Sequence, residues 1–357
     1  MRTTTPLATG DLRITGIRPL DPPAAVLGEL PLDEARAGVV REGRRQAADI
    51  LTGADDDRLL VLVGPCSVHD PAAALDYARR LAAVAAELRD ELCIVMRVYF
   101  EKPRTTLGWK GLINDPHLDG SHDVSHGLRL ARGVLLDVLA TGLPAGCEFL
   151  EPVSPQYIAD TVSWGAIGAR TPESQVHRQL ASGLSMPVGF KNAMDGDVRP
   201  ALDGCRAAAG EHTFMGVDGS GSASIVSTAG NPDCHLILRG GRSGPNHGPA
   251  PVRSALDALA AAGMPERLVI DASHGNSGKD HLRQAEVVRE VAARIAGGER
   301  GIAGLMIESF LEPGRQEPGP LATLDYGRSV TDACIGWPET DALLHELAAA
   351  VRGGRSR

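Results

Sequence analysis

The sequence predicts an α/β fold in which eight parallel strands close into a barrel surrounded by helices, and three observations support it. Eight short apolar runs recur along the 357 residues, most are followed by apolar residues at helical spacing, and no GxGxxG fingerprint follows the first run. Parallel strands buried on both faces read as continuous apolar runs. One barrel of about 250 residues with additions fits this length, and an open doubly wound sheet is the weaker alternative.

The predicted strands are rich in apolar residues and end at a polar or glycine-rich turn. They cover 59–67, 93–100, 146–152, 164–170, 187–192, 235–241, 267–274 and 301–310. Helices are predicted over 70–90, 125–142, 249–263 and 281–298. Asp70 and Ser125 are the predicted N-caps, and Gly142, Gly263 and Gly297 are the predicted stops. We therefore expect a (β/α)8 TIM barrel over residues 59–352.

Three segments are expected to add to the bare barrel. Residues 1–58 hold DLRITGI, a proline-rich connector and a helix, which predicts an extension for assembly or regulation that packs outside the barrel or against another subunit. Residues 213–228, TFMGVDGSGSASIVST, predict a β-hairpin inserted before barrel strand 6. Residues 353–357 are predicted to be a frayed tail.

Composition excludes several classes of function. The net charge is −9, with 43% hydrophobic and 23% charged residues, which argues against general binding to nucleic acid or to an anionic membrane. The longest apolar runs fall far short of the roughly 20 residues of a membrane span, and the N-terminus lacks a signal-peptide pattern. Six cysteines without a CxxC pair argue against a disulfide framework and a zinc ribbon. We predict a cytoplasmic protein.

The ends of the predicted strands carry charged residues, and barrels of this class build their active sites there. A set of cations stands at or near these ends: Arg97, Lys102, Arg104, Arg170, Lys191 and Arg239. Each of them alone could be a solvated surface charge. Together, in an acidic protein, they predict a site for the phosphate and carboxylate groups of small substrates.

A second set of residues could bind a metal ion: Cys66, His274, Glu308 and Asp332. Thiolate, imidazole and carboxylate bind divalent Mn, Fe, Co or Zn, and the mixture selects none of them. Other interpretations stay open. Cys66 could be a small buried hydrophobe and His274 a satisfied loop histidine. Glu308 could pair with a cation, and Asp332 could cap a helix.

Long motifs now identify a family resemblance. They are GPCSVHDP (64–71), MRVYFEKPRTTLGWKGLINDPHLDGS (96–121), SWGAIGARTPESQVHRQLASGLS (163–185), PVGFKN (187–192), LRGG (238–241), DASHGNSGKD (271–280) and GRSVTDACIGW (327–337). The sequence resembles the type I 3-deoxy-D-arabino-heptulosonate 7-phosphate (DAHP) synthases, in their feedback-regulated Phe/Tyr-type subgroup. The resemblance implies condensation of phosphoenolpyruvate with erythrose 4-phosphate, the first step of the shikimate pathway. It also implies a divalent metal ion, Mn²⁺ foremost, and a homodimer or homotetramer.

Matching motifs assign roles to residues. The resemblance implies that Cys66, His274, Glu308 and Asp332 bind the metal and that Lys102, Cys66 and His274 are catalytic. Because Lys102 stands between the two predicted anion sites, we hypothesise that it donates a proton to the developing alkoxide. The residues for phosphoenolpyruvate would be Arg97, Lys102, Ala169, Arg170, Lys191 and Arg239, with Glu148 nearby through water. The KPRT segment would bind the sugar phosphate through Lys102, Pro103, Arg104 and Thr105.

Regulation is where the sequence departs from the family. Pro155, Gln156, Ser185 and Phe214 match positions of an aromatic amino-acid effector site. VDGSGSAS at 217–224 replaces the Lys, Trp and His expected in the hairpin, and Gly216 stands where Ser is usual. We therefore predict altered or absent feedback inhibition.

Three competing functions remain at this stage. The first is a phosphoenolpyruvate-dependent synthase that uses another aldose phosphate, which the retained KPRTT segment disfavours. The second is a silent regulatory subunit, whose signature would be a lost metal ligand. The third is a metal-dependent aldolase for phosphorylated ketoses, which would need fewer cations.

Overall fold

Eight parallel strands close into a barrel in the computed structural model, which describes residues 9–104 and 107–355. In chain order the barrel strands are β1 (Leu59–Gly64), β2 (Leu92–Arg97), β3 (Ala145–Glu148), β4 (Trp164–Ile167), β5 (Val188–Lys191), β8 (Cys234–Leu238), β9 (Leu268–Asp271) and β10 (Ile302–Glu308). β10 pairs with β1 and closes the ring. The predicted TIM barrel and all eight of its strands are confirmed, and the observed strands are shorter at their ends.

Helices surround the barrel. They are α1 (Pro23–Glu29), α2 (Glu34–Thr52), α3 (Pro71–Glu87), α4 (Val124–Ala140), α5 (Pro155–Ile158), α6 (Gln175–Gly183), α7 (Arg199–Ala208), α8 (Pro249–Ala261), α9 (Arg283–Ala296) and α10 (Trp337–Arg355). Asp70 caps α3 as predicted, because its carboxylate accepts from the amides of Ala72 and Ala73 at 2.9 and 3.3 Å. The Ser125 cap is wrong: α4 begins one residue earlier, so Asp123 is the cap and accepts from the His126 amide at 3.2 Å.

The predicted C-terminal stops are confirmed. Gly142 and Gly263 follow α4 and α8 with φ of +88° and +69°, in the left-handed region that glycine adopts without a Cβ clash. Gly297 is the C-cap residue of α9.

Helix α2 closes the N-terminal end of the barrel. Its Ala47, Ile50 and Leu51 are buried in one cluster with side chains from inside the barrel, which include Leu60, Cys93, Trp164, Ile237, Val269 and Ala303. Ser163, in the turn before β4, donates to the Val40 carbonyl at 3.3 Å. Burying the apolar face of this helix therefore completes the barrel core, and its role in assembly or regulation stays a prediction.

The inserted hairpin lies between β5 and β8, before the sixth barrel strand, as predicted. Its strands are β6 (His212–Val217) and β7 (Ala223–Thr228), paired antiparallel with Phe214 opposite Val226. The amide of Ala24 donates to the Gly219 carbonyl at 2.9 Å, so the first turn of α1 holds the hairpin turn. The hydroxyl of Tyr157 on α5 donates to the Asp21 carbonyl at 2.8 Å. The N-terminal segment therefore joins α5 to the hairpin.

The C-terminal helix extends further than the sequence predicted. α10 continues through Arg355, Gly354 is buried, and Arg355 Nε donates to the Asp57 carbonyl at 2.7 Å. A frayed tail from residue 353 is therefore wrong for 353–355, and 356–357 lie outside the described residues. Across the described ranges, no helix has the length and apolar character needed to cross a bilayer. All six cysteines are free and buried.

Candidate active site

Charged side chains occupy the carboxyl end of the barrel. The last residues of five strands, β2, β3, β5, β9 and β10, are Arg97, Glu148, Lys191, Asp271 and Glu308. All five are buried, with at most 6% of their surface exposed. Buried charges need partners or ligands, because desolvation penalises the charged form. The arrangement of these residues therefore decides what this end of the barrel can bind.

Glu308 lies at the centre of the charged residues. Its carboxylate accepts from Arg97 Nη2 at 3.2 Å and from the Ser273 hydroxyl at 2.9 Å. Burial alone would raise its pKa, but the nearby His274, Arg97 and Lys102 together lower the pKa of Glu308 to about 2. Glu308 is therefore an ionised carboxylate, and it does pair with a cation, as one of the sequence interpretations held.

Asp271 is a site residue that the sequence analysis missed. Lys191 Nζ donates to its carboxylate at 2.9 Å, and His274 Nδ1 lies 3.0 Å from the same oxygen. Burial opposes ionisation, yet His274 and Lys191 hold the pKa of Asp271 well below its usual range. The available signal was a carboxylate at the end of the apolar run LVID. Asp271 orients both Lys191 and His274.

His274 adopts a backbone conformation that is rare for a residue with a side chain. Its φ is +57°, in the left-handed region. Such strained residues cluster at functional sites. The ring lies between two carboxylates, since Nδ1 is 3.0 Å from an Asp271 oxygen and Nε2 is 3.8 Å from Glu308 Oε1. His274 is therefore more than a loop histidine.

Three of the predicted metal ligands form one cluster. Ligand atoms of Cys66, Glu308 and Asp332 all lie within 4.8 Å of one another, with Cys66 Sγ 3.8 Å from Asp332 Oδ2. His274 adjoins this cluster through Glu308. The alternative interpretation, that Asp332 caps a helix, is wrong because the next helix begins at Trp337.

The chemistry of this cluster fits a divalent cation. Burial first, and then the carboxylates of Glu308 and Asp332, raise the pKa of the Cys66 thiol to about 12, while Lys102 opposes the rise. A thiol in this position binds as thiolate only when a cation offsets the negative charge. Sulfur, nitrogen and carboxylate oxygen together are the donors that divalent transition metals take in proteins.

Lys102 reaches this cluster from the loop after β2. Its Nζ donates to the Cys66 carbonyl at 2.9 Å and lies 3.1 Å from Cys66 Sγ. The preceding residue, Glu101, anchors the loop, since it accepts from the Glu151 amide at 3.0 Å and the Ser154 hydroxyl at 2.9 Å. Pro103 is half-buried and Arg104 is exposed. Thr105 lies outside the described residues.

Two further cations lie at the opposite side of the mouth. Arg239, directly after β8, is 6% exposed, and burial followed by the nearby Arg170 lowers its pKa. Ala169 and Arg170 follow β4, and Glu148 Oε1 occupies the space that a Cβ on Gly168 would need. Two guanidinium groups in one region repel each other, so their convergence favours a bound anion.

The predicted effector residues lie on the hairpin itself, on α5 and just after α6. Pro155 and Gln156 are on α5, Ser185 follows α6, and Phe214 is half-buried on β6. Helix α6 contacts the hairpin directly, because the Ser182 and Thr228 hydroxyls are 2.7 Å apart. Helix α5 reaches the hairpin through the N-terminal segment.

Fold and site together are those of a TIM-barrel enzyme with buried cations beside a cluster of side chains with metal-ligand chemistry. Residues 34–345 match the model of the DAHP synthetase I family. The chain belongs to this family.

Named relatives agree along almost the whole chain. The chain is 56% identical over 356 residues to a phospho-2-dehydro-3-deoxyheptonate aldolase of Corynebacterium glutamicum, covering 98% of this chain and 96% of that protein. It is 55% identical over 345 residues to the Phe-sensitive enzyme of that name from Escherichia coli K12, with 97% and 98% covered. A solved structure of such an aldolase from Francisella tularensis SCHU S4 superposes with a TM-score of 0.93 at 47% identity, covering 96% of this chain and 99% of that one.

Proposed function

We propose that this enzyme condenses phosphoenolpyruvate with erythrose 4-phosphate to give DAHP and inorganic phosphate. The observation that carries the proposal is the meeting of buried cations and a cluster of sulfur and carboxylate ligands at one end of the barrel. Family membership and the names of the relatives support the same reaction. The shikimate pathway is the proposed context, the cytoplasm the proposed location, and a homodimer or homotetramer the proposed assembly.

The cations suit two anionic substrates. Arg97 uses Nη2 on Glu308, while its Nε and Nη1 have no hydrogen-bond partner among residues 9–104 and 107–355. A guanidinium with two such N–H groups can bind a carboxylate or a phosphate. Arg170, Lys191 and Arg239 would add charge for phosphoenolpyruvate, and Arg104 for the sugar phosphate. Two phosphorylated anions repel each other, so the cations offset that repulsion and fix the orientation.

The residues that would hold the divalent metal ion are Cys66, His274, Glu308 and Asp332. Mn²⁺ is the first choice, and Fe²⁺, Co²⁺ or Zn²⁺ fit the same donors. An ion bound there would supply Lewis acidity toward the aldehyde oxygen or activate the water that adds to the second carbon of phosphoenolpyruvate.

The chain's own groups would direct the bond changes. The third carbon of phosphoenolpyruvate attacks the aldehyde carbon, and Lys102 gives a proton to the alkoxide that forms. Its contacts with the Cys66 carbonyl and sulfur place this ammonium beside the ligand cluster. Water, held by Glu148, then adds at the electron-poor second carbon and gives one proton to solvent. The bond between this carbon and the phosphate oxygen breaks, which leaves a carbonyl on the second carbon and releases inorganic phosphate. General acid catalysis of this kind contributes roughly 10²–10⁴-fold.

Consumption of phosphoenolpyruvate in the presence of erythrose 4-phosphate tests the proposal. Chelator-stripped protein should be inactive, and Mn²⁺ should restore consumption with equal release of phosphate. The Cys66→Ala variant should stay inactive after Mn²⁺ is restored. Cys205→Ala, which removes a buried thiol on α7 outside the site, should respond to Mn²⁺ like the wild type. No consumption with any of the four metals would contradict the proposal.

The proton-donor role of Lys102 has a separate test. Lys102→Met should lower kcat by roughly 10²-fold or more, whereas Lys110→Met, an exposed lysine of the same loop, should not. If Lys102→Met raised only the KM values and kept near-wild-type turnover, Lys102 would bind substrate without donating the proton.

We also propose that feedback by aromatic amino acids is altered or absent. The hairpin turn is organised by Asp218, which accepts from the amides of Ser220 and Ser222 at 2.8 and 3.1 Å and from the Ser224 hydroxyl at 3.1 Å. This compact polar turn stands where basic and aromatic side chains were expected. Turnover should therefore be insensitive to millimolar Phe or Tyr, and clear inhibition by either would contradict an absence of feedback.

A further inference from the structure

Tyr99 lies beneath the cations of the site. It follows β2 on the same side as Arg97 and is 1% exposed. Arg97 Cζ lies 4.1 Å from the centre of its ring, and Lys102 Nζ lies 5.8 Å from the same point. A cation within about 6 Å of a ring face is attracted by the ring quadrupole. The ring therefore holds Arg97 in place.

The hydroxyl of Tyr99 is buried without a hydrogen-bond partner among the described residues. Buried hydroxyl groups nearly always form hydrogen bonds, because a hydroxyl buried without a partner loses its hydrogen bonds to water and gains none in return. Two other buried tyrosines follow the rule, because Tyr77 donates to the Ser309 hydroxyl at 3.0 Å and Tyr157 donates to a carbonyl. Tyr99 is the exception, and it lies inside the site.

Neighbouring polar atoms show what the hydroxyl could bind. Arg97 Nε and Nη1 also have no partner in the part of the chain that the structure describes. Two adjacent side chains thus present three unmet donors in one buried place. Burial raises the pKa of Tyr99 well above its usual value, and Glu148 and Asp271 add to the rise. The hydroxyl therefore stays protonated and can donate.

We propose that Tyr99 is a further substrate-binding residue, which orients Arg97 with its ring and donates a hydrogen bond from its hydroxyl to phosphoenolpyruvate. The identity of this anion rests on the proposed function. The hydrogen bond and the two free N–H groups of Arg97 would form together when the anion enters.

Direct binding of phosphoenolpyruvate in Mn²⁺ buffer, without the second substrate, tests the inference. Isothermal titration would compare wild type, Tyr99→Phe and Tyr99→Leu, and steady-state kinetics would follow. Tyr99→Phe should raise the Kd and the KM for phosphoenolpyruvate about tenfold, as expected for one hydrogen bond to a charged group. The KM for erythrose 4-phosphate and kcat should each change less than about threefold. Tyr99→Leu should raise the Kd further, because the ring is lost as well.

Tyr77→Phe is the matched control, since it removes a buried hydroxyl that is already bonded. It should lower Tm and leave the Kd unchanged, whereas Tyr99→Phe should leave Tm unchanged and raise the Kd. A Kd for Tyr99→Phe within twofold of wild type would overturn the hydroxyl's role, and equal Kd values for the Phe and Leu variants would overturn that of the ring. Wild-type protein that failed to bind phosphoenolpyruvate would instead contradict the proposed function itself, and this inference with it.

Discussion

The N-terminal end of the barrel is closed by the apolar face of helix α2, whereas the carboxyl end is lined by buried charges. Strand β2 and the residues that follow it show both environments. Cys93 and Val95 belong to the interior cluster under α2, while Arg97 pairs with Glu308 and stacks on Tyr99. The interior side chains of β2 therefore change from apolar to charged between Val95 and Arg97, two residues apart. Side chains that only stabilise the fold are concentrated at the N-terminal end, and reactive side chains are concentrated at the carboxyl end.

The two ends also differ in the free energy of burying their side chains. At the N-terminal end, Ala47, Ile50 and Leu51 bury apolar surface, which is favourable in proportion to its area. At the carboxyl end, Arg97 with Glu308 and Lys191 with Asp271 bury charges whose desolvation is costly unless each keeps its partner. Substitutions at the two ends should consequently fail in different ways.

The largest effect is expected for Asp271→Ala. This change leaves Lys191 buried without its partner and frees His274 Nδ1. Removing one member of a buried ion pair costs about 3–5 kcal/mol, and phosphoenolpyruvate consumption should fall to background because both partners lose their orientation. Denaturant unfolding and turnover measure the two effects. Asp271→Asn, of the same size, should keep more stability than activity. A fully active Asp271→Ala would show that the charge pairing at this end is not needed for catalysis.

A substitution at the other end should separate stability from activity. Ile50→Ala removes a fully buried side chain from the cluster that plugs the barrel, and should lower the free energy of unfolding by about 2–5 kcal/mol. Below the unfolding temperature, kcat and both KM values should match the wild type. Ile50→Val should cost only about 0.5–1.5 kcal/mol. A change in KM with Ile50→Ala would mean that the two ends are coupled through the strands.

Sequence patterns predicted the barrel well because its strands are buried on both faces and so read as apolar runs. The charged strand ends were equally visible, since Arg97, Glu148 and Lys191 follow those runs directly. Periodicity could not show which surface α2 covers, because an amphipathic helix can cover any apolar surface. Asp271 was not predicted as a site residue for a related reason. Its partner Lys191 is 80 residues away, and only barrel closure brings the two side chains together. The Ser125 cap failed because helix ends shift by one or two residues.

Glu101 connects the charged end to the predicted effector region. It precedes Lys102, and its carboxylate accepts from the backbone and Ser154 of the loop that leads into α5. Burial raises the pKa of Glu101 to about 7, from an ordinary value of 4.5, and the hydrogen bonds from Glu151 and Ser154 offset only part of the rise. This group is therefore unlike Glu308, whose pKa is lowered.

The sign of the resulting pH dependence follows from proton uptake. Below pH 4.5 the carboxyl is protonated in both the folded and unfolded states and contributes nothing. Between pH 4.5 and about 7 only the folded state keeps the proton, so stability falls as pH rises, by at most about 3 kcal/mol, and levels off above 7. Glu101→Gln removes this loss, so its free energy of unfolding relative to wild type should increase from pH 4.5 to 7.5 in denaturant titrations. Parallel stability curves would mean that Glu101 ionises in the folded protein as it does in the unfolded chain, and that the substrate loop is anchored by an ordinary carboxylate.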